Sequence, residues 1–289
     1  MQHRPLRIVV LYSNGHLGSN IVLNQTLKMD CFEIVGIVKA KIVDCTPKGL
    51  EKAQKKFQKI GFRFSIMLCW QRIIQTTAFS LSKFLPVNDT LLKTSTSLTE
   101  NIPTYECQSI NDSNCQQFIK SVSPDLLVSA YFHQILKTET LAIPTKGTLN
   151  IHPGYLPSFK GSMNYFHAML HKKQLAGASL HWMDEGIDTG EILARKSFKV
   201  KKGMTQESIM VKTAFIGSSL LKRIGNTLMN QKAPKALQID QSEIHQYFKM
   251  PQRKHFLVYH RKFRFFRIRD IFGLIIWRPL RTHWKHSWK

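Results

Sequence analysis

The chain is short of acid. Against 42 Lys and Arg it carries 18 Asp and Glu, a net charge of +24 over 289 residues. Such a balance favours a polyanionic partner: RNA, an anionic lipid surface or a phosphorylated substrate. Cysteine is scarce too. The five, Cys31, Cys45, Cys69, Cys107 and Cys115, are scattered, odd in number and form no Cys-x-x-Cys. That argues against a disulfide framework and against a zinc site, and it fits a reducing, cytoplasmic compartment in which the thiols pack as small apolar groups. No metal site is expected. Long apolar runs are missing as well, since none reaches the ~20 residues of a spanning helix. Arg4 and Arg7 precede an apolar run at residues 8–12, which is too short for a signal peptide. A full dinucleotide fingerprint is absent, because Ser13-Asn-Gly-His-Leu-Gly-Ser19 has only Gly15 and Gly18.

What is present is a core. Hydrophobic residues make up 43% of the chain, enough for one large domain plus an appendage. Residues 7–12 are apolar and β-branched, a glycine turn follows, and a helical pattern starts at Asn20. Residues 32–38, 125–130 and 147–152 read as further strands. Strands alternating with helices predict an α/β fold with a doubly wound, mostly parallel sheet. The Gly15/Gly18 turn serves either as a tight strand-to-helix connection or as a phosphate cradle at a helix N-terminus.

Asn150 and His152 stand two residues apart at the end of the strand expected at 147–152. Alternation puts both side chains on one face of the sheet. Pro153 lacks an amide hydrogen and Gly154 is permissive, so the strand stops there. The pair then lies at the carboxyl edge, where open α/β sheets carry their sites. With Asp188 in Asp188-Thr-Gly190, an amide, an imidazole and a carboxylate are available for acyl-type chemistry. Singly, each has a structural reading: Asn and His bond main chain at strand ends, and Asp-x-Gly makes turns.

Leu149-Asn-Ile-His-Pro-Gly-Tyr-Leu-Pro-Ser-Phe-Lys-Gly161 resembles the catalytic segment of the folate-dependent formyltransferases, and Asp184-Glu-Gly-Ile-Asp-Thr-Gly190 resembles their second signature. That family includes glycinamide ribonucleotide transformylase, methionyl-tRNA formyltransferase and sugar-amine formyltransferases. The resemblance runs over residues 7–225, with a poorly matching insert at about 49–98. It implies a Rossmann-type catalytic domain over 1–225, followed by a basic, aromatic extension over 226–289. It implies transfer of a formyl group from 10-formyltetrahydrofolate to a primary amine, with Asn150, His152 and Asp188 as the catalytic trio. Residues 130–136 resemble the loop that wraps the pterin, so Ala130, Tyr131, Phe132, Ile135 and Leu136 are expected at the cofactor, with Asp184 and Glu185 flanking it. Gly15, Gly18, Lys160 and Gly161 fall on the side of the amine substrate, where Lys160 meets a phosphate or solvent. His133 reads as a solvent-facing loop residue or a catalytic one, and His167 and His181 as packing or surface histidines.

The rest of the chain is less specific. Phe64, Met67, Leu68 and Ile74 recur at roughly helical spacing, which reads as a helical insert packed on the domain, or as an element touching membrane or substrate. Residues 88–103 read as a polar surface loop. From Arg253 to Lys289 there are eleven Lys or Arg against one acid, Asp270, with interleaved aromatics. That composition suits packing on the domain, an anionic membrane surface at its inner face, or RNA. About sixty residues follow Asn226, which is short for the barrel of methionyl-tRNA formyltransferases and lacks its strand pattern, so a nucleotide- or lipid-linked, phosphate-bearing amine ranks above tRNA. A formyltetrahydrofolate hydrolase and a non-catalytic RNA- or membrane-binding protein are the remaining alternatives.

Overall fold

The computed structural model describes residues 4–13, 15–40, 51, 54–55, 57–58, 60–82, 99–171 and 175–256. In chain order its elements are β1 (Leu6–Ser13), α1 (Leu17–Thr26), β2 (Phe32–Ala40), α2 (Phe62–Ser82), β3 (Thr104–Cys107), α3 (Ser113–Ser121), β4 (Leu126–Ala130), α4 (Thr138–Leu141), β5 (Gly147–His152), β6 (Lys160–Gly161), α5 (Asn164–Leu170), β7 (Leu175–Trp182), β8 (Ile192–Lys199), α6 (Gln206–Met229) and β9 (Tyr247–Phe248). Seven strands form one sheet in the order β3-β2-β1-β4-β5-β7-β8. The first five in that order run parallel, and β7 is antiparallel to both β5 and β8. The mostly parallel, doubly wound sheet read from the sequence is therefore present.

The parallel strands are apolar on both faces because helices cover both. Ile8, Val10 and Tyr12 of β1 join the cluster beneath α1 and α6, whereas Val9 and Leu11 join the cluster that holds Ile119 of α3. Gly217 sets how closely α6 approaches, since a Cβ there would collide with the Ile151 side chain. Thr205 and Ser208 close a capping box at the start of α6, which satisfies amides that the first turn cannot.

A third cluster joins Phe64 of α2, Phe159, Phe166 of α5 and Phe256. The described part of the insert that α2 forms is helical and packed, as expected for Phe64 and Leu68; the side chains of Met67 and Ile74 lie outside those described. The boundary expected after residue 225 falls inside α6. Beyond it the chain returns to the domain. Leu237 N–H donates to Ile192 O at 2.7 Å, Arg195 makes a two-pronged pair with Glu243 at 2.5 Å, and β9 pairs in parallel with β6. Cys45, most of the loop expected at 88–103 and the basic stretch past Phe256 lie outside the described residues.

Candidate active site

Period-two alternation divides β5 as the sequence implies. Leu149 and Ile151 enter the cluster under α6, so Asn150 and His152 leave the opposite face. The antiparallel partner β7 does the same. Ala178 and Leu180 go to the core, and register sets Ser179 opposite His152 and His181 opposite Asn150. Four polar side chains therefore share one face beside the carboxyl edge of the parallel strands.

Asp188 reaches them from the loop between β7 and β8. Its φ of +54° lies in the left-handed region, which Asp tolerates better than most residues. Its Oδ1 is 3.1 Å from His152 Nδ1 and 3.8 Å from His181 Nε2, and its Oδ2 accepts the Gly161 N–H at 2.7 Å. Burial pushes this carboxyl up. The His152 ring, by charge and hydrogen bond, outweighs that together with the Gly161 amide and His181, and the group settles at about 2. Asp188 is a carboxylate at any physiological pH.

Histidine 181 is 2% exposed. Burial, then the nearby His152 charge, lowers it to about 4 against the pull of Asp188 and the Trp182 carbonyl. It is neutral, and its Nδ1–H donates to Trp182 O at 2.6 Å. Its Nε2 must then accept, and the donor is Asn150 Nδ2 at 3.0 Å. That bond fixes which way the Asn150 amide faces and leaves the second Nδ2 hydrogen for another acceptor. The sequence reads His181 as a packing or surface histidine; the signal for this position is its place in an apolar strand two residues from Ser179, on the polar side.

Histidine 152 has both ring nitrogens engaged. Nδ1 faces Asp188, and Nε2 lies 2.6 Å from Phe159 O and 3.0 Å from Asn164 Nδ2. Gly154 lies against the ring, and a Cβ there would sit 2.7 Å from Nε2. Asn164, at the start of α5, also donates to Gly161 O at 3.0 Å. Neither Asn164 nor Phe159 stood out in the sequence. Gly161, at φ +94°, holds the turn that presents its amide to Asp188, and Tyr247 and Phe248 of β9 press against its open side. Lys160 lies beside it, half-buried, with its N–H donating to Gln246 O.

The expected cofactor residues split into two groups. Phe132 is half-buried and Ile135 is exposed on the loop after β4. Asn111 pins that loop by donating to Ile135 O and accepting from Lys137 N–H. Thr138 Oγ1 donates to Glu185 at 2.5 Å, which joins this loop to the one carrying Asp184, Ile187 and Asp188. Asp184 accepts from Gly186 N–H and Thr189 Oγ1 and so shapes its own turn. Ala130 and Leu136 are buried in the core. Tyr131 turns inward, where its hydroxyl meets Thr213 Oγ1 at 2.8 Å and its ring fills the open side of Gly18. Gly18 is therefore a packing residue of α1, whereas Gly15 is exposed at φ +69°. His133 is exposed but held, its Nδ1 2.9 Å from Ser13 Oγ. His167 is buried and its Nε2–H donates to Lys249 O at 3.0 Å. Among the described residues no cluster of three His, Cys, Asp or Glu has metal-holding geometry.

An amide, an imidazole and a carboxylate converge at the carboxyl edge of a parallel sheet, groups of the kind that acyl transfer uses. The model of the formyl transferase family matches residues 6–224, and the chain belongs to that family. Methionyl-tRNA formyltransferase of Methylacidiphilum infernorum is 34% identical over 140 residues, 48% of this chain and 44% of that protein. The Wolbachia pipientis enzyme of the same name is 35% identical over 123 residues, 43% of this chain and 41% of that one. The chain thus spans under half the length of these relatives. Phosphoribosylglycinamide formyltransferase from Anaplasma phagocytophilum shares the fold at TM-score 0.53 and 17% identity, over 84% of this chain and 96% of that one. A sugar N-formyltransferase from a Shewanella species does so at 0.51 and 17%, over 84% and 76%.

Proposed function

We propose that this chain transfers a formyl group from 10-formyltetrahydrofolate to a primary amine on a phosphorylated, nucleotide- or lipid-linked substrate. The observation that carries the reading is the Asn150–His181 and His152–Asp188 pairing on one sheet face. Family membership and the likeness to formyltransferases of three substrate types support the reaction class. The strongly basic composition supports the phosphate.

The donor supplies an activated formyl carbon. The apolar surface of Phe132 and Ile135 suits a flat heterocycle, and Ile187 is exposed on the loop that Thr138 and Glu185 join to theirs. Main-chain groups of a pinned loop add polar contacts. The neutral amine attacks the formyl carbon, a C–N bond forms, and the carbonyl oxygen becomes an oxyanion. A preorganised donor at that oxygen is the largest catalytic term in such reactions. Asn150 supplies it through the Nδ2 hydrogen that His181 leaves free. The bond to the folate nitrogen then breaks, and that nitrogen gains a proton. His152 delivers it when charged, by moving its Nε2–H from the Phe159 carbonyl to the reaction centre. A carboxyl held at about 2 is a weak proton acceptor. Asp188 therefore acts by charge: it holds the His152 imidazolium and stabilises the ammonium that forms as the amine attacks, and the surplus ammonium proton passes to His152 once that ring has given its own proton to the folate nitrogen.

Incubation with 10-formyltetrahydrofolate, with and without phosphorylated amines, tests this. Amine-dependent folate release supports the transferase. Amine-independent formate identifies a hydrolase, and no turnover together with tight RNA or vesicle binding identifies a binding protein.

A further inference from the structure

The helix α2 is apolar on two sides. Its inner side carries Phe64, 1% exposed, and the partly buried Leu68, both in the cluster with Phe166 and Phe256. Its outer side carries Phe62, Ile66, Trp70 and Ile73, which are 79%, 50%, 58% and 55% exposed. At ~100° per residue these four fall within an arc of about 80°, and they extend about 16 Å along the axis. Single exposed apolar residues are ordinary, but a contiguous stripe of four large ones marks a surface that something covers. Thr77 and Ser80, also exposed, continue the stripe as hydroxyls towards the C-terminus.

Charge decides what covers it. No Asp or Glu occurs between Phe62 and Ser82. The chain also enters its most basic segment against this helix: Arg253 lies beside Gly61, and the Phe256 ring meets Phe64 edge-on at 5.5 Å. From Arg253 onward the sequence holds eleven Lys or Arg and one acid. Pairing with a second copy would bring two chains of net charge +24 together, which self-repulsion opposes. An anionic bilayer meets both features, because apolar side chains enter the acyl boundary while cations stay at the headgroups. Trp70 suits that boundary layer.

We infer that the Phe62–Ile66–Trp70–Ile73 stripe of α2 docks this protein flat on an anionic lipid surface. Among the described residues no helix is long and apolar enough to cross a membrane, so the contact lies in the interface plane. The cluster beneath α2 includes Phe159, whose carbonyl meets His152. The inference is independent of the reaction proposed above.

Co-sedimentation of the full chain with vesicles of equal phosphatidylglycerol and phosphatidylcholine, in low and high salt, tests it. At 0.5 M salt charge attraction is screened, and the stripe carries the residual binding. Ile66→Ser/Trp70→Ser is expected to lower that residual partition at least tenfold with an unchanged far-UV circular dichroism spectrum. Phe62→Ser, at the most exposed position, is the substitute should the double variant misfold. Quenching by brominated lipid is expected to weaken in Trp70→Phe. Equal partition of variants and wild type overturns the inference, as does a wild-type chain that ignores the vesicles. A wild-type dimer that the stripe variants dissolve overturns it in favour of a protein interface.

Discussion

Asn164 Nδ2 stands 3.0 Å from His152 Nε2. The same nitrogen faces the Phe159 carbonyl at 2.6 Å, and it cannot accept from one and donate to the other at once. A neutral ring with its proton on Nδ1, towards Asp188, suits Asn164; a charged ring suits Phe159. Asn164 is 1% exposed and its Oδ1 has no hydrogen-bond partner, so the amide has little freedom to turn. Removing its donor frees Nε2 from one of its two contacts. Asn164→Leu is therefore expected to lower kcat by about tenfold or more with KM little changed, because the ring loses a contact that positions Nε2. Unchanged kcat in a folded variant makes Asn164 a packing residue only.

His152→Ala removes the acid–base group and leaves Asp188 Oδ1 without its partner at 3.1 Å. Turnover is expected to fall by about two orders of magnitude or more, the scale of such a group. Steady-state formyl transfer by a protein with a normal circular dichroism spectrum checks this. Near-normal turnover sinks the assignment.

Ile135 is 63% exposed on a loop whose backbone Asn111 pins. A charge there disturbs no core. Ile135→Asp is expected to weaken folate binding at least about tenfold, because the carboxylate loses water against the heterocycle, while the melting temperature holds. Calorimetric titration with a folate that carries no transferable formyl group reads the change. Undiminished affinity moves the folate away from this loop.

Acid is expected to destabilise the fold through two buried histidines. His167 and His181 are both held at about 4, each chiefly by burial. In the unfolded chain they titrate near 6.5. Between those values the unfolded state binds more protons, so stability is full above pH 6.5 and drains as pH falls towards 4. Asp188, held at about 2 from 3.8, contributes in a lower window: its share is present above 3.8 and is lost as pH falls through 2. The melting temperature is expected to drop by about 5 °C or more from pH 7 to pH 5. His167→Gln keeps a donor for the Lys249 carbonyl and should remove part of that slope. Identical slopes in the two proteins place the acid sensitivity elsewhere.

What the sequence determined by itself is local. Apolar, β-branched runs gave β1, β2, β4 and β5 to within a few residues. The period of two put Asn150 and His152 on one face, because a strand's own backbone sets that alternation. The Asp188 signature lay in a short turn, whose chemistry is also local. Helical spacing placed α2 and its buried Phe64. The tertiary structure decided what depends on register and packing between distant segments. His181 meets Asn150 only because β7 runs antiparallel in that register. Asn164 and the Phe159 carbonyl reach His152 through the β6–α5 turn, and β9 returns from residue 247 to hold that turn. Tyr131 looked like a pocket residue, yet the space over Gly18 and the Thr213 hydroxyl drew it inward. Strand pairing and close packing are satisfied by the whole chain at once, so no single stretch of sequence carries them.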